Sequence, residues 1–142
     1  MKKLNLGCGL TILEGYTNLD YIAGQGVDII HDLNIIPYPF EDNSIDEILA
    51  EDIMEHLDNP KNFCQELWRI SKNGSKITII TPHFSSGASA WSCLTHKRTF
   101  SSFSFDCYYP NGKRCKDKTT FETLSKMRFR CKSKIEFGTL YR

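Results

Sequence analysis

Two glycines near the start of the chain and a nearby aspartate are the residues best suited to binding chemistry. The short apolar run that begins at Lys3 is ended by Gly7 and Gly9, which indicates a buried parallel strand followed by a tight turn. A second short run, residues 17–19, places Asp20 at its carboxyl end. Ligands of open α/β sheets bind outside the carboxyl ends of the strands, where an acidic residue binds ribose hydroxyls. These residues predict a nucleoside site, although a tight turn followed by a solvated carboxylate also fits the pattern.

The sequence spacing between the glycines and Asp20 favours one class of nucleoside. A dinucleotide fold places its ribose acid roughly 20 residues beyond the glycines, with a full helix between them. Here only residues 10–19 separate Gly9 from Asp20, and Gly15 interrupts them. A pyrophosphate needs the N-terminus of such a helix, whereas S-adenosylmethionine carries no phosphate. The short connection therefore favours S-adenosylmethionine over NAD.

The overall composition is that of an ordinary globular protein. The chain has 142 residues, of which 40% are hydrophobic and 25% charged, so we expect a single domain over residues 1–142. It has no apolar run of membrane-spanning length and no signal peptide after Met1, and we therefore expect a cytoplasmic protein. Six cysteines without a CxxC pair favour reduced thiols and no metal, with a zinc site that includes Cys93 and His96 as the alternative.

Charge is divided unevenly along the chain. Residues 1–96 contain 6 Lys and Arg against 13 Asp and Glu, a net charge of −7, whereas residues 97–142 contain 12 against 4, a net charge of +8. A basic segment of this kind is compatible with an anionic partner. Attraction between the two halves within one fold explains the division as well, and the pattern leaves both interpretations open.

Periodicity predicts the elements that position the candidate residues. Further strands are expected at residues 27–31, 45–50 and 76–81. A helix is expected after Asn59, with Pro60 at its first position, and Asn73 and Gly74 are expected to end it. Its apolar stripe is predicted to contain Phe63, Cys64, Leu67, Trp68 and Ile70.

The remainder of the chain is predicted to contain a long loop and a final strand. Residues 83–99 are rich in small residues and lack periodicity, which favours a loop over the strand ends. Short helices are expected at residues 102–108 and 119–127, with a basic loop at 110–118. Residues 129–137 alternate apolar and charged side chains, which is typical of a strand near a sheet edge. Because basic residues on such an edge oppose random pairing, we expect a monomer or a weak homodimer.

Six strands interleaved with helices predict a doubly wound parallel sheet, and at this point the motifs resemble a known family. The chain is similar to the class I S-adenosylmethionine-dependent methyltransferases, in particular to a small bacterial branch. The resemblance implies a Rossmann-like α/β fold with a mainly parallel sheet, shortened at the C-terminus. The matching segments are LNLGCG at residues 4–9, GYTNLD at 15–20, DIIHDL at 28–33, YPFEDNSIDEI at 38–48, EHL at 55–57 and THKR at 95–98.

The resemblance also implies a set of cofactor-binding residues. The backbone around Gly7 and Gly9 would face the methionine part of the cofactor, and Asp20 would bind the ribose hydroxyls. Carboxylates after the fourth strand would lie near the cationic sulfonium and amino groups, which agrees with elementary electrostatics. The residues implied are Asn5, Gly7, Cys8, Gly9, Asp20, Tyr21, Asp32, Leu33, Glu51 and Asp52, with Asp32 and Leu33 flanking the adenine.

The predicted activity is S-adenosylmethionine-dependent methyl transfer to a small-molecule or glycan-like acceptor. Methyl transfer is an in-line displacement, which needs a general base only when the acceptor is protonated. His96 and His83 are the candidates for that base. An anionic acceptor could be bound by the basic residues Lys97, Arg98, Lys113, Arg114, Lys116 and Lys118, although a solvated charged face explains this run as well. Neither an Asn-Pro-Pro-aromatic motif nor a Pro-Cys pair occurs, so nucleic-acid methylation is not favoured, and no membrane partner is expected.

Two alternatives to an active enzyme remain open at the sequence level. The chain ends at Arg142, just after the predicted sixth strand, and lacks the third glycine of the usual loop. Both features are compatible with a catalytically silent cofactor-binding or interaction module of the same fold. The basic second half is also compatible with a nucleic-acid binder, which we favour less.

Overall fold

The computed structural model describes residues 1–101 and 103–105. The chain divides into two compact units, the first from Met1 to Thr81 and the second beginning at Pro82. The expected single domain over residues 1–142 therefore stays a prediction. The basic loop at 110–118, the helix at 119–127 and the strand at 129–137 lie outside the described residues, as does most of the helix expected at 102–108. None of the described helices has the length and apolar character needed to cross a membrane.

A five-stranded, fully parallel sheet forms the first unit. The strands lie side by side in the order β3-β2-β1-β4-β5. The order reverses between β1 and β4, the point at which open α/β sheets bind ligands. This arrangement confirms the predicted Rossmann-like α/β fold. The strands are β1 (Lys3–Leu6), β2 (Thr17–Asp20), β3 (Ile29–Ile30), β4 (Ile45–Glu51) and β5 (Ser71–Ile80).

The connections between the strands differ from those of a fully doubly wound fold. Within residues 7–44, all of which the structure describes, β1, β2, β3 and β4 are joined without an α-helix. A 3-10 helix (Met54–His56) and the α-helix α1 (Pro60–Ile70) connect β4 to β5.

The helix α1 begins as its sequence predicts. Asn59 has an extended backbone, and its side chain accepts hydrogen bonds from the N–H groups of Lys61 and Asn62. These bonds satisfy two of the donors that a helix start leaves unpaired. Phe63 and Leu67 are each 1% exposed and belong to the core, whereas Trp68 is 46% exposed, so its place in the apolar stripe was wrong.

The end of α1 lies earlier than predicted. The helix stops at Ile70, and β5 begins immediately at Ser71, which pairs with Ile45. The next pair along the ladder joins Glu47 to Lys76, so the intervening residues of β5 form a bulge. Gly74, with φ of +83°, belongs to that bulge and not to the helix end. A glycine with positive φ suits a helix end and a bulge equally well, so the sequence pattern wrongly assigned Gly74 to the end of α1.

The second unit contains more regular structure than predicted between residues 83 and 99. A parallel bridge joins His83 to Phe100, and the Phe84 N–H donates to the Phe100 carbonyl at 2.7 Å. The short helix α2 (Ala88–Trp91) lies between them in sequence, and the Trp91 indole N–H donates to the Phe84 carbonyl at 2.9 Å. The expectation of an irregular loop was therefore wrong for α2, which at four residues is too short for sequence periodicity to reveal.

Candidate cofactor site

The glycine turn that follows β1 requires both of its glycines, for different reasons. Gly7 has φ of +66°, and a Cβ there would lie 2.7 Å from Cγ1 of Ile53. Gly9 has φ of +50°, and no atom lies within 4 Å of the position that its Cβ would take. A left-handed backbone disfavours any L side chain at either position. Gly7 thus permits close packing against Ile53, and Gly9 leaves an open space beside the main chain.

Asp20 closes this turn through its carboxylate. It is the last residue of β2 and is only 8% exposed. The Gly9 N–H donates to Asp20 Oδ2 at 2.9 Å, and the Ile22 N–H donates to Oδ1 at 3.0 Å. Since each carboxylate oxygen has two lone pairs, both oxygens retain acceptor capacity for ligand hydroxyls. The structure thus brings Gly9 and Asp20 into direct contact.

Cys8 lies between the glycines with its thiol buried. Its N–H donates to the Leu19 carbonyl at 3.0 Å, and its carbonyl accepts from the Thr11 N–H at 2.7 Å. Burial, together with the nearby negative charge of Asp20, raises the pKa of the Cys8 thiol. The neutral thiol therefore packs inside the turn and does not supply a thiolate.

Asn5 holds the loop that follows β1 in place. Its side chain is buried in β1, and its amide donates to the Thr11 carbonyl at 2.8 Å and to Asn18 Oδ1 at 3.0 Å. These bonds fix the path of the chain between β1 and β2. Direct contact between Asn5 and a cofactor stays a prediction.

The segment after β3 contains the residues expected beside an adenine. Asp32 is exposed, and its Oδ1 accepts hydrogen bonds from the backbone and side-chain N–H groups of Asn34 at 2.8 and 3.1 Å. Leu33 is buried, and its carbonyl accepts from the Tyr38 hydroxyl at 2.8 Å. His31, predicted within a strand, lies just beyond β3, where its ring and the Tyr38 ring form a T-shaped pair at 5.5 Å between centroids.

An ion pair on α1 anchors the far end of this segment. Arg69 donates twice to the carboxylate of Glu66, at 2.9 and 2.7 Å, and also to the Tyr38 carbonyl at 3.0 Å. The Tyr38 N–H donates to Glu66 at 2.7 Å. Burial alone would raise the pKa of Glu66, but the hydrogen bonds from Arg69 and the Tyr38 N–H outweigh it and lower that pKa. Glu66 is therefore ionised at neutral pH and holds Tyr38 in place.

Two exposed carboxylates follow β4. Glu51 is the last residue of the strand and pairs with Ile80, and the Asp52 N–H donates to the Ile80 carbonyl at 3.0 Å. Asp52 has φ of +48°, a left-handed conformation that aspartate tolerates better than most residues. Tyr21, directly after Asp20, is exposed as well.

Strand register places these positions at one edge of the sheet. Leu6 in β1 pairs with Leu19 in β2 and with Ala50 in β4, while Asp20 pairs with Ile30 in β3. Because all the strands are parallel, the residues that follow β1, β2, β3 and β4 emerge at the same edge. The predicted cofactor-binding residues that lie at this edge are Gly7, Cys8, Gly9, Asp20, Tyr21, Asp32, Leu33, Glu51 and Asp52.

The two candidate catalytic histidines belong to the second unit. His83 Nδ1 lies 2.7 Å from the Ser85 hydroxyl, and its ring packs against Phe84 at 4.5 Å between centroids. His96 Nδ1 lies 3.1 Å from the Ala90 carbonyl. Contact of either ring with an acceptor stays a prediction.

Sequence reasoning missed two residues that shape the site. Asn18 is buried in β2 and bonds to the loop before it, and Ile53 fills the space that Gly7 leaves open. A signal for Asn18 was present, because a polar residue in a buried strand must find hydrogen-bond partners. Nothing in the sequence marks Ile53, since its contact depends on the path of the chain after β4.

Comparisons with known proteins identify one family model and several solved structures that are similar to this chain. A family model described as "Methyltransferase domain" matches residues 16–79. A solved structure of a SAM-dependent methyltransferase from Archaeoglobus fulgidus aligns with a TM-score of 0.60 at 19% identity, over 87% of this chain and 59% of that one. The YcgJ protein of Bacillus subtilis aligns with a TM-score of 0.55 at 16% identity, over 71% of this chain and 56% of that one.

These identities show a shared fold, and the chain spans less than two thirds of the length of either solved structure. No curated protein sequence matches the chain. The match to a methyltransferase family model agrees with the prediction of S-adenosylmethionine as the cofactor. The family match and the parallel sheet together confirm the predicted resemblance to the class I S-adenosylmethionine-dependent methyltransferases.

Proposed function

We propose that this chain binds S-adenosylmethionine at the carboxyl ends of β1 to β4 and transfers its methyl group to a small-molecule or glycan-like acceptor. The observation that supports this most directly is the 2.9 Å hydrogen bond from the Gly9 N–H to Asp20 Oδ2. It joins an open glycine turn to a carboxylate with spare acceptor capacity, the two features that a nucleoside needs.

The described residues fit the parts of this cofactor. Asp20 would accept hydrogen bonds from the ribose hydroxyls, and the open space beside Gly9 would admit the methionine part. Glu51 and Asp52 are exposed carboxylates that suit the cationic sulfonium and amino groups. Asp32 and Leu33 would flank the adenine, with Tyr38 fixing the Leu33 carbonyl.

The chemistry requires little beyond positioning. When bound, S-adenosylmethionine would supply an electrophilic methyl group. An acceptor lone pair would form the new bond as the bond to sulfur breaks, with S-adenosylhomocysteine as the leaving group. The chain has to align the acceptor with the methyl group and exclude water. Where the acceptor carries a proton, His96 or His83 would accept it.

A cavity in the second unit supports an anionic acceptor. It has a volume of about 190 Å³, and its lining includes His96, Lys97 and Arg98 beside Trp91. A lining of this charge suits a phosphate, a sulfate or a carboxylate on the acceptor.

Methyl transfer can be tested with isotope-labelled S-adenosylmethionine and a panel of acceptors. The panel would pair neutral glycosides with matched sugar phosphates and sugar acids. Label transferred to the anionic members, and reduced by Arg98→Ala, would support the proposed acceptor class. Binding of S-adenosylhomocysteine without turnover on any acceptor would favour the alternative of a catalytically silent cofactor-binding module.

A further inference from the structure

The loop between β1 and β2 follows a defined path although it contains no helix. Parallel strands are usually joined by a crossover of a dozen or more residues that packs a helix on the sheet. Here residues 7–16 make the connection without a helix. Its course must therefore be fixed by other contacts, and two buried asparagines on the flanking strands provide them.

Asn18 in β2 bonds to the loop with both ends of its side-chain amide. Its Oδ1 accepts from the Leu13 N–H at 3.0 Å, and its Nδ2 donates to the carbonyls of Leu13 and Tyr16 at 3.2 and 3.3 Å. Asn5 in β1 bonds to Asn18 Oδ1 and also donates to the Thr11 carbonyl at 2.8 Å. Both side chains are buried, so these bonds are shielded from competing water.

Asp28, which precedes β3, fixes Asn18 from the other side. Its Oδ2 accepts from the Asn18 backbone N–H at 2.7 Å and lies 3.4 Å from Asn18 Nδ2. The Asp28 N–H also donates to the Asn18 carbonyl at 2.8 Å, so both backbone groups of Asn18 bond to Asp28. The side-chain oxygen of Asn18 thus faces hydrogen-bond donors, and its side-chain nitrogen faces acceptors. Only one orientation of the side-chain amide satisfies both sets of partners.

We propose that Asn18, supported by Asn5 and Asp28, is a positioning residue that keeps the loop in the form that presents the Gly9 N–H to Asp20. The inference rests on the proposed function, because the site that it preorganises is the cofactor site. Without the Asn18 amide, the loop loses its bonds to Leu13 and Tyr16 and samples other conformations. Cofactor binding must then order the loop, which lowers affinity.

The test combines ligand affinity with amide hydrogen exchange in the free protein. Asn18→Ala is expected to raise the dissociation constant of S-adenosylhomocysteine on the order of tenfold, as loss of buried hydrogen bonds implies. Exchange of the Gly9 and Leu13 amides is expected to accelerate. Asn59→Ala is the matched control, because that asparagine also accepts two backbone N–H groups but lies at the start of α1. The Asn59→Ala protein should bind S-adenosylhomocysteine with wild-type affinity, and its Gly9 and Leu13 amides should exchange at the wild-type rate.

The outcomes separate this inference from the proposed function. A folded Asn18→Ala protein with unchanged affinity and unchanged exchange at Gly9 would overturn the positioning role. A wild-type protein that does not bind S-adenosylhomocysteine would overturn the proposed function, and exchange in the free variants would still decide whether Asn18 holds the loop. If Asn18→Ala does not fold, Asp28→Ala at the exposed end of the network replaces it, with the same direction expected in both measurements.

Discussion

Gly7 and Gly9 both have positive φ, but their surroundings predict different costs for a side chain. Gly7→Ala would add a Cβ 2.7 Å from Ile53 Cγ1 as well as backbone strain, and we expect it to lower the free energy of unfolding by about 2–4 kcal/mol. Gly9→Ala meets no neighbouring atom and should cost only about 1–2 kcal/mol of strain. Urea denaturation measures both.

A double mutant separates crowding from strain at Gly7. Ile53→Ala removes the crowding atoms, so Gly7→Ala should cost less in that background than in the wild type. The same Ile53→Ala background should leave the cost of Gly9→Ala unchanged. Equal costs of Gly7→Ala in both backgrounds would mean that Ile53 does not limit the space at Gly7.

Asp20 is the residue on which cofactor affinity should depend most. Asp20→Ala is expected to weaken S-adenosylhomocysteine binding by about 1.5–3 kcal/mol, because a charged acceptor of ribose hydrogen bonds is lost. The carboxylate also holds the Gly9 and Ile22 N–H groups, so some loss of stability is expected too. Isothermal titration measures the affinity. Asp46→Ala, at the start of β4, is the control and should bind as the wild type does.

At the residue scale, the sequence predicts what chemistry and backbone conformation require locally. Glycines with positive φ and an acid at a strand end carry recognisable patterns, and Gly7, Gly9 and Asp20 were found for that reason. The packing of Ile53 on Gly7 depends on two distant segments meeting, which no local pattern reports.

At the scale of elements, the ion pair on α1 predicts an acid-sensitive contribution to stability. The pKa of Glu66 is lowered in the folded protein, so its stabilisation is complete above the ordinary value of 4.5 and is lost as the pH falls through the lowered one. Glu66→Gln should lower the free energy of unfolding by about 1–3 kcal/mol at neutral pH, and the variant should lose less stability than the wild type as the pH falls. Urea unfolding between pH 7 and pH 3 measures both effects, and Glu14→Gln at an exposed site should reproduce the wild-type curve.

Element boundaries show where local sequence signals stop being sufficient. The start of α1 was predicted correctly because Asn59 and Pro60 specify it within the chain itself. The end of α1 was predicted incorrectly, because Gly74 belongs to a bulge in β5, and that bulge forms only through pairing with β4. Likewise β3 covers only Ile29 and Ile30 of the predicted residues 27–31, because its length depends on pairing with the short strand β2 and not on its own sequence alone.

At the scale of the whole molecule, the shortness of the β1–β2 connection is the feature that most affects function. It leaves no helix after the glycine turn and therefore no helix N-terminus for a pyrophosphate. The strand order, with its reversal beside β1, still provides the ligand-binding edge of an open α/β sheet. The described sheet thus suits a nucleoside without phosphates, in agreement with the prediction from the spacing of Gly9 and Asp20.

Calorimetric titration tests whether this edge of the sheet binds the adenosyl-amino-acid class of nucleoside. Titrations of the wild-type chain with S-adenosylhomocysteine and with NAD would be run in parallel, with Asp20→Ala as the variant. We expect saturable binding of S-adenosylhomocysteine, weakened in Asp20→Ala, and much weaker or undetectable binding of NAD. No heat of binding with S-adenosylhomocysteine at millimolar concentration, or equal affinity in a folded Asp20→Ala protein, would contradict it.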